Sequence, residues 1–101
     1  MPRPLRPRPG RPPWAAIHCW GFAPDTLYHE LWELMADLEA DEALCFVEMS
    51  DEFWPFGCHS ALLWFPTERA AATALLDAHN GGRQPMLNGL PVWLRPLWWG
   101  D

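Results

Sequence analysis

Two neighbouring pairs, His18-Cys19 and Cys58-His59, hold the residues with the most chemistry to offer. A thiol next to an imidazole is the raw material of a nucleophile with its base, and two such pairs together could ligate a metal. Each pair sits in a short apolar run that reads as a strand, where neighbouring side chains point to opposite faces. Cys19 and His59 therefore fall on one side, and His18 and Cys58 on the other. No C-x-x-C or H-x3-H spacing exists, so the expectation is core thiols and a strand histidine, with no metal and no cofactor. Gly81-Gly82 stands where a helix ends, which explains it without a phosphate. Glu39, Asp41 and Glu42 read as a solvated loop. The chain is not expected to be an enzyme.

The elements that carry these residues follow from hydrophobic period and punctuation. Ala15 to Trp20 is a short apolar run stopped by Gly21, consistent with a buried strand. Pro24-Asp25-Thr26 predicts a helix start, and Leu27, Leu31, Leu34 and Leu38 follow at helical spacing, widened by Tyr28, Trp32 and Met35. Asp41-Glu42 marks a turn. Leu44 to Met49 predicts a second strand, Ser50 to Gly57 a loop, and Cys58 to Phe65 a third strand stopped by Pro66. Thr67 can cap a second helix with Ala71, Ala74, Leu75 and Ala78 inward, ended by Asn80-Gly81-Gly82. Leu90 to Leu94 is the last predicted strand, with Leu97-Trp98-Trp99 as an apolar tail. The order is β-α-β-β-α-β. Right-handed crossovers then give an α+β, ferredoxin-like sandwich: a four-stranded antiparallel sheet with two helices on one face.

Residues 1–13, MPRPLRPRPGRPP, contain six prolines and four arginines and nothing to bury. They are expected to be disordered or polyproline II, most simply a solvated tail, alternatively a ligand for SH3-type grooves or a loose contact to RNA. The domain is expected over 14–97, and 98–101 as a tail that packs on the sheet or not. From Trp14 onward three arginines (Arg69, Arg83, Arg95) face all thirteen acids, a formal balance of −10, and the chain has no lysine. That charge opposes phosphate binding, which rests on Lys and Arg. Three cysteines, Cys19, Cys45 and Cys58, form no disulfide framework, so a reducing compartment, nuclear or cytoplasmic, is expected. No apolar run approaches the ~20 residues of a membrane span, and Pro interrupts the N-terminal region too often for a secretory leader.

Within this frame the chain resembles the RNA-recognition-motif family over about residues 15–97. Phe65-Pro-Thr-Glu-Arg-Ala-Ala-Ala-Thr-Ala-Leu-Leu-Asp-Ala-His-Asn-Gly81 looks like the family's third-strand end, second helix and Asn-Gly cap. Ile17-His-Cys-Trp-Gly-Phe22 stands where the first-strand hexapeptide belongs, and Leu87-Asn-Gly-Leu-Pro-Val-Trp-Leu94 resembles the turn into the last strand. The resemblance implies single-stranded RNA stacked on aromatics of the central strands. In the third-strand octapeptide Cys58-His-Ser-Ala-Leu-Leu-Trp-Phe65, Ala61, Leu63 and Phe65 keep the buried pattern. The basic residue is replaced by Cys58, and the two stacking aromatics by Ser60 and Leu62. His18 stands at the first-strand aromatic and can still stack.

Eight tryptophans are more than a core of this size can hold dry, because each indole N–H wants a partner. Strand parity collects His18 and Trp20, Leu62 and Trp64, and Trp93 and Arg95 on one face, an apolar patch on the order of several hundred Å2 of the kind rarely left bare. Two partners suit it. Single-stranded RNA would stack on Trp20, Trp64 and Trp93 at ~1–3 kcal/mol per base, with Arg83, Arg95 and the basic tail at phosphates. A protein ligand would use the same face, the acidic first helix or the Phe53-Trp54-Pro55-Phe56 loop. A third outcome is that Leu97-Trp98-Trp99 covers the face.

Overall fold

In the computed structural model residues 15–54 and 58–97 are described, with the side chains of 50–54, 58 and 59 left aside. The expected tails 1–13 and 98–101, the side chains of the Phe53–Phe56 loop and those of Cys58 and His59 lie outside the described residues.

The apolar run before Gly21 forms β1 (Ala15–Trp20), which lies inside the sheet between two antiparallel neighbours. One is β3 (Cys58–Phe65), the other the last strand, β6 (Trp93–Leu97). β2 (Phe46–Trp54) pairs with the far side of β3, so the four strands run β2-β3-β1-β6, all antiparallel. Ile17 stands opposite Leu63 and Pro96, and His18 opposite Leu62 and Arg95. Because side chains alternate, this register sends Ala15, Ile17, Cys19, Ala61, Leu63 and Phe65 to one face. There they join one core with Leu31, Leu34 and Met35 of α1 (Tyr28–Asp37) and Ala71, Ala74 and Ala78 of α2 (Glu68–Ala78). Both helices therefore cover the same side of the sheet. Among the described residues no helix is long and apolar enough to cross a membrane.

The helix ends show how local chemistry sets the boundaries. Thr67 caps α2 as its type predicts, its Oγ1 accepting from the Ala70 N–H at 3.0 Å. α1 begins a turn later than Pro24-Asp25-Thr26 suggests. Thr26 donates its N–H back to the Ala23 carbonyl in a turn, and Leu27 becomes the N-cap, its N–H donating to Glu30 Oε1 at 3.2 Å. Leu27 and Tyr28, expected on the core stripe, are consequently exposed. At the other end Glu39 takes φ 60°, and the Ala40 N–H reaches the Met35 carbonyl at 2.8 Å. This is the left-handed stop that glycine usually supplies.

The chain after α2 departs most from expectation. The sequence suggests one strand over Leu90 to Leu94, whereas Leu90–Pro91 (β5) folds back on Met86–Leu87 (β4) in a separate hairpin. Asn88 and Gly89 both have positive φ, 54° and 84°, as a two-residue type I′ turn demands, and this turn directs Leu90 to Leu87. Val92 then buries its side chain and donates its N–H to the Pro85 carbonyl at 2.9 Å, and Trp93 opens β6. β2, expected to end at Met49, continues to Trp54 with a register irregularity after Ser50.

Arg83 closes the helix layer. Its guanidinium donates to the Leu38 carbonyl at 2.7 Å, the Asp77 carbonyl at 2.8 Å and the Ala78 carbonyl at 3.1 Å, tying the last carbonyls of both helices to one cation.

A left-handed residue with a Cβ is strained, so Glu39→Gly is expected to stabilise the fold by about 0.5–1 kcal/mol. The urea midpoint should rise without a change in slope. A lower midpoint would contradict the assignment of a strained cap.

Candidate ligand-binding face

The side of the sheet away from the helices carries all six residues singled out from the sequence. Register places His18 between Leu62 and Arg95, Trp20 between Ser60 and Trp93, and Trp64 between Ala16 and Phe46. Strand parity thus brings His18, Trp20, Leu62, Trp64, Trp93 and Arg95 to one surface. Their accessibility is very unequal. Trp93 is 46% exposed and Arg95 is exposed, Trp20 and Leu62 are half-buried, and His18 and Trp64 are buried at 3% and 1%.

The open half is a tight aromatic and cationic group on β1 and β6. The His18 and Trp20 rings stack with centroids 5.0 Å apart and planes 29° apart. The Arg95 guanidinium carbon lies 5.7 Å from the Trp20 ring centroid, in cation–π range. Trp93 is the cross-strand neighbour of Trp20 and is held by Gly21, the residue that also stops β1. Gly21 has φ +101°, and a Cβ there would come within 2.6 Å of the Pro91 carbonyl oxygen and 2.9 Å of Trp93 Cδ1. A side chain at 21 would push the indole away, so glycine fixes where Trp93 lies. A Trp-Gly step at a strand end was the available signal.

The closed half surrounds Ala16 and Trp64. The Trp64 Nε1–H donates to Glu48 Oε1 of β2 at 3.0 Å, which satisfies the one polar atom of a buried indole. Glu48 was not singled out from the sequence. Its signal is an acid within the apolar run Leu44 to Met49, at an even position that shares the face of Trp64. None of His18, Phe46, Glu48 and Arg95 is without a partner.

Among the described side chains the face carries one cation, Arg95, and one carboxylate, Glu48. Burial, and then the charge of Arg95, push the His18 pKa below its ordinary value, so at neutral pH the ring is uncharged. Arg83, expected among possible phosphate contacts, is instead committed to helix carbonyls. Arg69 lies by Glu39, Glu42, Thr67 and Asp77 in a cleft of about 260 Å3 between α2 and the segment 39–43 that follows α1. Arg95 alone, of the three arginines in the described residues, serves the face.

The thiols stand apart from it. Cys19 is inside the core, where desolvation drives its pKa far up, and Cys45 is an exposed free thiol whose Sγ donates to the Ala43 carbonyl at 3.4 Å. Among the described residues no three His, Cys, Asp or Glu side chains converge on a metal position.

Comparison of the chain with protein-family models, with curated proteins and with solved structures returns no match.

The His18 shift has a consequence for stability. The unfolded chain takes up the proton at the ordinary pKa of 6.5, while the folded chain resists it down to a lower pH. The contribution is therefore complete above about 6.5 and is lost as pH falls from there through the folded pKa. His18→Phe, which keeps a ring against Trp20, should flatten this part of the stability–pH curve in urea unfolding between pH 8 and 5. An unchanged slope would show that His18 is not the group responsible.

Proposed function

We propose that this chain is a non-catalytic binding module of the RNA-recognition-motif type, with a ferredoxin-like β-α-β-β-α-β core, that takes single-stranded nucleic acid on the β1–β6 half of its sheet. Support for the architecture is the order β2-β3-β1-β6, with the first and third strands central and the second and last at the edges. On this reading β4 and β5 are a hairpin inserted before the last strand. The observation that carries the function is the exposed Trp93 indole beside Trp20, with Arg95 over the Trp20 ring.

A base stacks on Trp93, and Arg95 meets the adjacent phosphate. Stacking contributes ~1–3 kcal/mol per base, so one or two bases and one phosphate make a weak site. The reading places Trp64 outside the direct contacts. It also fits a reducing compartment, nuclear or cytoplasmic, in which Cys19 and Cys45 stay as thiols.

A protein ligand on the same face is the second reading, favoured by the −10 balance from Trp14 onward and by the single arginine the described face offers. Titration of a fluorescent single-stranded RNA at low salt separates the two. The nucleic-acid reading expects saturable binding, at least a tenfold loss with Trp93→Ala, and a log K–log salt slope reduced by about 0.7 with Arg95→Gln. No binding at any salt sinks it. Binding indifferent to Trp93→Ala also ends it, by moving the contact to the basic residues 1–13.

A further inference from the structure

We propose that the cleft between α2 and the segment 39–43 is a docking site for a lysine- or arginine-bearing segment of a partner protein. One long basic side chain of that segment lays its stem along the cleft floor and sets its cationic head among the carboxylates of Glu39, Glu42 and Asp77. The floor is apolar because alanines make it. Ala40 and Ala74, 3% and 5% exposed, belong to the core beneath, and the half-buried Ala43 and Ala70 lie beside them. The rim is charged. Glu39, Glu42 and Asp77 are exposed, and Arg69 is the one cation in the lining. Among the described residues none of these four side chains is tied up in an ion pair.

Size and charge select the occupant. A space of about 260 Å3 lies below the ~300–1,000 Å3 that drug-sized ligands fill, and it suits one extended side chain. Lys and Arg bury their methylene stems on apolar surface and keep the charged head at its edge. An alanine floor with a carboxylate rim is the complement of that shape. Three carboxylates against one guanidinium leave the lining at −2, which turns a phosphate away. A second copy of the chain, at a net charge of −6, is turned away for the same reason. The surroundings extend the preference beyond one side chain. From Asp25 to Glu42 the chain has seven acids and no Lys or Arg, a field that draws in a basic segment as a whole. The cleft is on the helix side of the molecule and the stacking site on the other side of the sheet, so its occupation does not depend on nucleic-acid binding.

The test titrates the full chain, labelled with 15N, with a fluorescein-tagged peptide of alternating lysine and glycine at low salt. Fluorescence polarisation reads the affinity, and amide shifts read the place. Saturable binding is expected, with the largest shifts at Ala40, Ala43, Ala70 and Ala74 and none at Trp20 and Trp93. Glu39→Gln with Glu42→Gln is expected to weaken it about fivefold. Glu30→Gln with Glu33→Gln, an equal loss of charge earlier in α1, should cost roughly twofold at most. Ala43→Leu, which fills the floor without changing the charge, should cost about tenfold. Urea midpoints report the fold of each variant, and were Ala43→Leu to unfold, Ala70→Leu carries the same expectation. Glu39→Gly, expected above to stabilise the fold, should weaken peptide binding all the same, which separates loss of the site from loss of structure. Absent or unsaturable binding, equal losses from the two Glu pairs, a filled floor without effect, or shifts at Trp20 and Trp93 in place of the alanines overturns the proposal. So does displacement of the peptide by spermidine at matching concentration, which would make a free polyamine the occupant.

Discussion

Pairing Ile17 with Leu63 on one side and Pro96 on the other commits every residue of three strands to a face. A one-residue slip would drive His18 and Trp20 into the helices and put Ile17 and Cys19 outside, so the register is held by the whole apolar core at once. From that constraint the rest follows. The odd positions of β1 and β3 meet the leucines of α1 and the alanine stripe of α2. The even positions are left to form a second surface, and its tryptophans are there because parity allows nowhere else.

That second surface is not uniform, and the difference is chemical. Around Trp64 an indole N–H is matched to a carboxylate and the ring is sealed from water. Around Trp93 a glycine with positive φ lets an indole lie open at the end of β1, with a guanidinium over the neighbouring ring. Of the other two arginines in the described residues, Arg83 ties both helix ends together and Arg69 lies on α2, away from this face. The face is therefore rich in flat apolar area and poor in charge.

Much of this was legible in the residues. The bounds of β1 and β3, the Thr67 cap and the alanine stripe followed from apolar period and punctuation, because each is decided within a few residues. Parity likewise gathered the six candidate residues on one face. What could not be read was set by which of two local turns forms, or by contacts distant in sequence. Leu27 and Tyr28 have helical spacing but miss the core because Thr26 is held in a turn with Ala23. Leu90 looks like sheet, yet the Asn88-Gly89 turn pairs it with Leu87, and the start of the last strand moves to Trp93. The burial of Trp64 and its bond to Glu48 depend on strands separated by a hairpin, and the commitment of Arg83 to Leu38 spans 45 residues. Gly21 read as a stop, although its second role, room for Trp93, needs the register of a strand 70 residues away.

One sheet face is divided into a sealed half around Trp64 and an open half around Trp93. Hydroxyl-radical footprinting of the native chain, read tryptophan by tryptophan by mass spectrometry, tests it most directly. Trp93 should oxidise fastest, Trp20 at an intermediate rate, and Trp64 at least tenfold more slowly than Trp93 until the chain is unfolded. Equal rates at Trp64 and Trp93 would contradict the division.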